Sequence, residues 1–163
     1  MFKKLPIIFF LIIFIYECDH GLEPPTGPAS NITGISGLIS YSNWPPADSL
    51  FELRLVVFKN YPPTNIVAEL LNQQAVVYPA LADSSLPYFT DTTSFILELT
   101  AGTYEYIVVA QQYGPDLYAD WRVVGQYDKD LDPLPSSVTV KNGKLLENIN
   151  VNVDFDNPPN QVF

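Results

Sequence analysis

Along much of the chain apolar and polar residues alternate with period two, which sends every second side chain to the buried face of a strand. The clearest case is "ENINVNVDF", where Ile149, Val151, Val153 and Phe155 face one way and Asn148, Asn150, Asn152 and Asp154 the other. Ahead of it, "SVTVKNGKLL" carries Val138 and Val140 and then Asn142-Gly143, a dipeptide that readily takes the positive φ angles of a type I′ turn. Residues 137–155 therefore read as a hairpin. A second hairpin is expected where "SFILEL" alternates through Phe95, Leu97 and Leu99, "TAGT" supplies a turn at Gly102, and "YEYIVVAQQ" continues through Tyr104, Tyr106, Val108 and Ala110. Further strands at 32–41, 51–59 and 121–127 bring the total to about seven, the number expected of a β-sandwich.

One segment breaks the alternation. "TNIVAELLNQQ" spaces Ile66, Val67, Leu70 and Leu71 at one, three and four, which makes one face of a short helix, and Thr64 after Pro62-Pro63 is placed to cap it. The next stretch, "YPALADSSLPYFTDTT", has no period and contains Pro79 and Pro87, so it reads as a long surface loop.

The strongest apolar run lies at the start, in "LPIIFFLIIFIYECDHGLEPP". Lys3 and Lys4 form a positive n-region and Ile7 to Tyr16 an uncharged h-region, the order that an export signal requires. A membrane-spanning helix needs roughly 20 apolar residues, and this run stops at Glu17. Cys18, directly after it, gives Ile15, Tyr16, Glu17 and Cys18 the form that resembles the lipobox of bacterial lipoproteins, with Glu17 where that family usually has a small residue. The resemblance implies cleavage before Cys18 and lipidation of its thiol. The alternative is an ordinary signal peptide with an incidental cysteine. Each buried methylene contributes about 0.8 kcal/mol, so one acyl chain holds weakly and two or more hold firmly. Residues 1–17 are thus expected as signal peptide and 18–30 as lipidated cysteine and flexible tether. A sandwich domain over 31–157 and a tail at 158–163 would follow.

Composition narrows the partners. Eighteen acidic against eight basic residues give a formal charge of −10 at pH 7. A chain so acidic, without a polybasic patch, repels phosphates, and nucleic acid is not expected as a partner. About 145 residues remain after residue 17, enough for one domain with a sizeable core. Cys18 is the only cysteine, so no intrachain disulfide can form and the core must hold the fold by itself.

The order of parts resembles the prealbumin-like sandwiches, especially the carboxypeptidase regulatory-like and starch-binding-like domains of exported bacterial proteins. "ITGISGLISY" as first strand, "SFILELTAGTYEYIVVA" in the centre and "SVTVKNGKLLENINVNVDF" at the close carry the likeness. Gly102 and Tyr104 fit the family's turn before a strand, while Thr100 stands where proline is frequent and the helix with its loop is an insertion. The resemblance implies a seven-stranded, Greek-key-like antiparallel β-sandwich with one short helix insertion. It also implies a non-catalytic module that presents loops to a protein or surface partner.

Candidate chemistry is sparse. His20 is the only histidine and lies in the tether, so no Ser-His-Asp or Cys-His arrangement can form in the domain, and a zinc site lacks ligands. No cofactor is expected. "YDKDLDP" offers Asp128, Asp130 and Asp132 as a weak calcium site, against the plainer reading of an acidic, solvated turn. "QQYGPDLYADW" gathers Tyr113, Tyr118 and Trp121 with Asp116 and Asp120 around a Gly-Pro turn. Flat rings beside acceptors could stack on a sugar face and bind its hydroxyls, and the plainer reading is core packing or a rim for protein contact. Trp44 in "SNWPPAD" reads as a lone loop aromatic, and Asn31-Ile32-Thr33 as a chance glycosylation pattern. Together these readings place the protein in a bacterial cell envelope, periplasmic or outward-facing, held at the membrane through Cys18.

Overall fold

The segments "ELRLVVF" and "YIVVAQQ" are apolar on both parities, as suits strands covered on both faces. In the computed structural model, which describes residues 31–130 and 134–162, both are central strands. Among the described residues the order is β1 (Gly34–Ser42), β2 (Glu52–Phe58), α1 (Ile66–Leu71), β3 (Ala75–Tyr78), β4 (Thr92–Glu98), β5 (Gly102–Tyr104), β6 (Tyr106–Gln112), β7 (Trp121–Gln126), β8 (Val138–Val140), β9 (Leu145–Leu146) and β10 (Val151–Asp154). Among the described residues the fold is all-β with one short α-helix. The expectations about the leading signal, Cys18 and the tether fall on residues outside those described.

One sheet runs β3-β2-β6-β7-β10-β1-β4, with β9 also on β1, and β5 and β8 form a separate pair. Among the described residues the expected seven antiparallel strands are thus corrected to ten in a mixed arrangement. β1 runs parallel to β10, with Ile39 opposite Val151 and Tyr41 opposite Val153, and parallel to β9. The β7–β10 ladder is only two pairs long, Asn152 with Gln126 and Val153 with Gly125. A Cβ on Gly125 would stand 2.6 Å from the Asn152 carbonyl oxygen, so this close join requires glycine. The sheet curls, and the two halves meet across one core. Leu53, Leu55, Val57, Ile107, Val109 and Val124 come from one side, and Ile35, Ile39, Phe95, Leu97, Val151 and Val153 from the other.

Both expected hairpins are corrected, for one reason. Asn142 and Gly143 do sit in a turn, with Gly143 at φ +65° and the Lys144 N–H bonded to the Lys141 carbonyl. The strands on either side then part: β8 pairs with β5, whereas β9 and β10 pair with β1. Gly102 likewise stands where the chain leaves β4, which pairs with β1, and goes on to β6, which lies between β2 and β7. A local turn signal reports that the chain changes direction; it does not report which neighbour the next strand finds. The alternation of "ENINVNVDF" is as expected, with Ile149, Val151, Val153 and Phe155 all buried in the main core.

The outer face of β2 and β6 carries a second cluster of Val56, Phe58, Tyr106, Val108 and Ala110, which α1 covers with Ile66 and Leu70. Asn65, rather than the expected Thr64, caps this helix: its side-chain oxygen accepts from the N–H groups of Val67 and Ala68. Thr64 instead donates through its hydroxyl and its backbone N–H to Glu69. The segment after β3 carries no strand or helix until β4, as its prolines suggest. Near the C-terminus, the Gln161 side chain accepts from the Val123 N–H at 2.7 Å and donates to the Val123 carbonyl at 3.0 Å. One amide thus stands in for a neighbouring strand beside β7.

Candidate functional site

The aromatic loop between β6 and β7 is held by its own polar groups. The Tyr113 N–H donates to the Asp120 carbonyl, and the Asp120 N–H to the Asp116 carbonyl. Asp116 Oδ1 accepts from the N–H groups of Tyr118 and Ala119, and Asp120 Oδ2 accepts from the Asp116 N–H at 2.8 Å. Trp121 Nε1 donates to the Leu117 carbonyl at 2.8 Å, and Gln112 Nε2 to the Gly114 carbonyl at 2.9 Å. One oxygen of each carboxylate is therefore committed to shaping the loop, in the side-chain-to-backbone pattern that short acidic residues favour at turns. The five residues singled out by sequence share this loop but divide in role. Tyr113 and Tyr118 are exposed, Asp116 and Asp120 are turn formers, and Trp121 packs partly against the outer cluster.

Two depressions meet at Trp121. The first is a small groove of about 120 Å³ between α1 and the loop, bounded by Ile66, Leu70, Leu71, Leu81, Leu117 and Trp121. Leu71, Leu81, Leu117 and the neighbouring Tyr118 are between 54 % and 79 % exposed. Large apolar side chains so open and so close together around one groove are the pattern of a contact surface. No acidic side chain is among the residues that line this groove, which besides its apolar walls includes Arg54.

The second is an open cleft of about 670 Å³ whose lining includes Ser49, Gln111, Tyr113, Trp121, Arg122 and Gln161. Its polar part is built across β6 and β7, where Gln111 stands opposite Arg122. Gln111 is fully buried; its Nε2 donates to the Ser49 carbonyl at 2.6 Å and its Oε1 accepts from Arg122 Nε at 2.9 Å. Guanidinium can only donate and a carbonyl can only accept, so this pair of bonds fixes which way the amide faces. Among the described residues, the two terminal nitrogens of Arg122 have no hydrogen-bond partner. Sequence reading passed over this constellation. Its one signal was Gln111-Gln112 at the end of an otherwise apolar strand, since a polar side chain on a buried parity needs a partner.

The remaining candidates lie elsewhere. Asp128 Oδ1 accepts from the Asp130 N–H and from the Ser136 hydroxyl, Asp130 is near it in the same turn, and Asp132 lies outside the described residues. Among the described residues no three His, Cys, Asp or Glu side chains come close enough to hold a metal ion. Trp44 is not the isolated aromatic expected. Its ring lies tilted against those of Tyr41 and Phe155 at centroid distances of 4.9 and 4.7 Å, and its Nε1 donates to the Thr90 carbonyl. It closes one end of the core and so is accounted for by packing. No helix among the described residues is long and apolar enough to cross a membrane. Compared with family models, curated proteins and solved structures, the chain matches none.

Proposed function

We propose that the protein is a lipid-tethered, non-enzymatic binding module of a bacterial cell envelope, which meets a protein partner through the surface shared by α1 and residues 113–121. The observation that carries this reading is the set of exposed Leu71, Leu81 and Leu117 around one apolar groove, with the exposed Tyr118 next to Leu117 in the chain. The partner it fits offers an apolar side chain, which the open leucines around the groove would cover. A prealbumin-like sandwich is the fold reading that goes with this function. It is supported by two sheet halves sharing one core, and it leaves the loops at the ends available for contact. The tether reading rests on Lys3, Lys4, the h-region and Cys18.

The test is a photo-crosslinking residue placed at Leu117 in the full chain and, as control, at Ile96 on β4, which is also exposed. A discrete protein adduct in the native envelope from position 117 and none from position 96 is expected. Absence of an adduct from 117, or the same adduct from both, would overturn the contact surface. Mass spectrometry of the mature N-terminus is expected to find a lipid-modified Cys18; an unmodified start ends the tether reading.

A second reading, carbohydrate binding, is favoured by one observation: Tyr113 and Trp121 line the same cleft as Gln111 and Arg122. Aromatic faces beside a few placed polar groups are what a sugar site needs.

A further inference from the structure

The chain has only two arginines, and in a protein of formal charge −10 each would be expected to find a carboxylate. Arg54 does, with its Nη2 2.7 Å from Glu52. Arg122 has none among the described residues. Its Nε is held instead by a neutral amide, Gln111, which is itself anchored on the Ser49 carbonyl. Such a chain of two bonds orients the plane of the guanidinium without neutralising it. The two terminal nitrogens that remain form the side of the fork that matches a carboxylate by two parallel hydrogen bonds.

Around this fork stand Tyr113 and Trp121, and the cleft, at about 670 Å³, is within the usual size of small-ligand sites. Neither acid of the adjoining loop competes for the guanidinium, because Asp116 and Asp120 are turned to backbone N–H groups of the loop. We propose that this cleft binds a carboxylate-bearing sugar, a uronic acid unit, with Arg122 forking the carboxylate and Tyr113 and Trp121 meeting the flat face of the ring. The inference rests on the carbohydrate reading and sharpens it from sugars in general to acidic ones. A bare carboxylate would engage Arg122 but leave the two aromatic side chains without a role. A neutral sugar would leave the guanidinium unpaired in a site where water is partly displaced, at the cost of unmade charge-assisted bonds.

The experiment is calorimetric titration of the full-length chain in detergent with trigalacturonate and triglucuronate, with a neutral galactose trisaccharide and acetate as comparisons. At least one uronate is expected to bind tenfold or more tightly than the neutral trisaccharide and than acetate. Arg122→Gln, shown by circular dichroism and melting to be folded, is expected to lose that tenfold preference. Arg122→Lys is expected to weaken uronate binding as well, since an ammonium cannot fork. Tyr113→Ala should weaken uronate and neutral sugar alike. Equal binding of acidic and neutral sugars overturns the acidic inference while leaving the carbohydrate reading standing, and binding of no sugar overturns both. Acetate as tight as the uronates would show a carboxylate site without a sugar site and overturns the proposal, as would full binding by folded Arg122→Gln.

Discussion

Two arginines on neighbouring parts of the same sheet have opposite surroundings. Arg54, on the outer face of β2, is 2 % exposed, and all three of its guanidinium nitrogens are engaged. Nε and Nη2 meet Glu52, Nη1 donates to the carbonyls of Pro79, Ala80 and Ser84, and Nη2 also donates to that of Asp83. It gathers the turn that follows β3, a segment without regular secondary structure in which the Ala80 carbonyl also accepts from the Asp83 N–H. Arg122, on β7, has among the described residues one side-chain hydrogen bond, to a neutral amide, and lines a cleft. The first is a structural staple whose hydrogen-bonding capacity is used inside the protein; the second keeps its capacity for something that arrives. Arg54 is buried and Arg122 half-buried, but burial is not the whole difference. The count of satisfied donors also separates them.

The comparison is most easily broken at Arg54. Arg54→Ala leaves the half-buried Glu52 and the carbonyls of Pro79, Asp83 and Ser84 without this donor, while that of Ala80 keeps the Asp83 N–H, and loss of such charge-assisted hydrogen bonds costs about 1.5–3 kcal/mol. Chemical or thermal unfolding should show a loss of that order, with the 79–84 segment becoming an early site of proteolysis. Loss of less than about 1 kcal/mol would mean that the segment holds itself and the staple reading is wrong.

Arg122→Gln should behave differently in the same assay. It removes a single hydrogen bond at a partly exposed site, so the expected change is about 0.5–1.5 kcal/mol. The variant should melt close to the parent. A drop as large as that of Arg54→Ala would erase the distinction, making Arg122 a second staple.

A third buried polar group sets the lower end of the scale. The Tyr106 hydroxyl is buried and has no hydrogen-bond partner among the described residues. Burial, and then the nearby Tyr61 phenol, push its pKa well above the usual tyrosine value. In the unfolded chain a tyrosine ionises near pH 10, whereas in the fold Tyr106 stays neutral beyond that. The folded state therefore keeps this contribution below about pH 10 and loses it as the pH rises further. Tyr106→Phe should raise stability by about 1 kcal/mol at neutral pH, since it removes an unpaired donor without changing the ring. Denaturant melts between pH 8 and 11 should also show a shallower alkaline decline. An unchanged decline would assign it to another group.

How much of this could be read from the chain depends on the range of the interaction. "ENINVNVDF" declared its buried face because alternation is a local property, and α1 was legible from the spacing of Ile66, Val67, Leu70 and Leu71. The helix cap moved by one residue because Thr64 and Asn65 are both capable and only the backbone decides. Pairing was not legible. β1 and β10 are joined in parallel across more than a hundred residues, and the turns at Gly102 and Gly143 looked like hairpins because nothing local distinguishes a hairpin from a passage between sheet partners. The same limit hid the cleft. Tyr113 and Trp121 were visible as aromatics in one loop, but Ser49, Gln111, Arg122 and Gln161 come from four segments. Asp116 and Asp120, which looked like ligand acceptors, are explained by the loop they shape.

The most direct measurement is side-chain NMR of the full-length chain labelled with ¹⁵N at arginine, where only two guanidinium groups contribute. Arg54 should give protected Nε–H and Nη–H signals that exchange slowly with deuterium and do not move on addition of a uronate trisaccharide. Arg122 should give Nη signals that exchange fast in the unliganded protein and shift and gain protection when the uronate is added. Equal protection of both groups without ligand, or a response from Arg54 in place of Arg122, would contradict the division between staple and site.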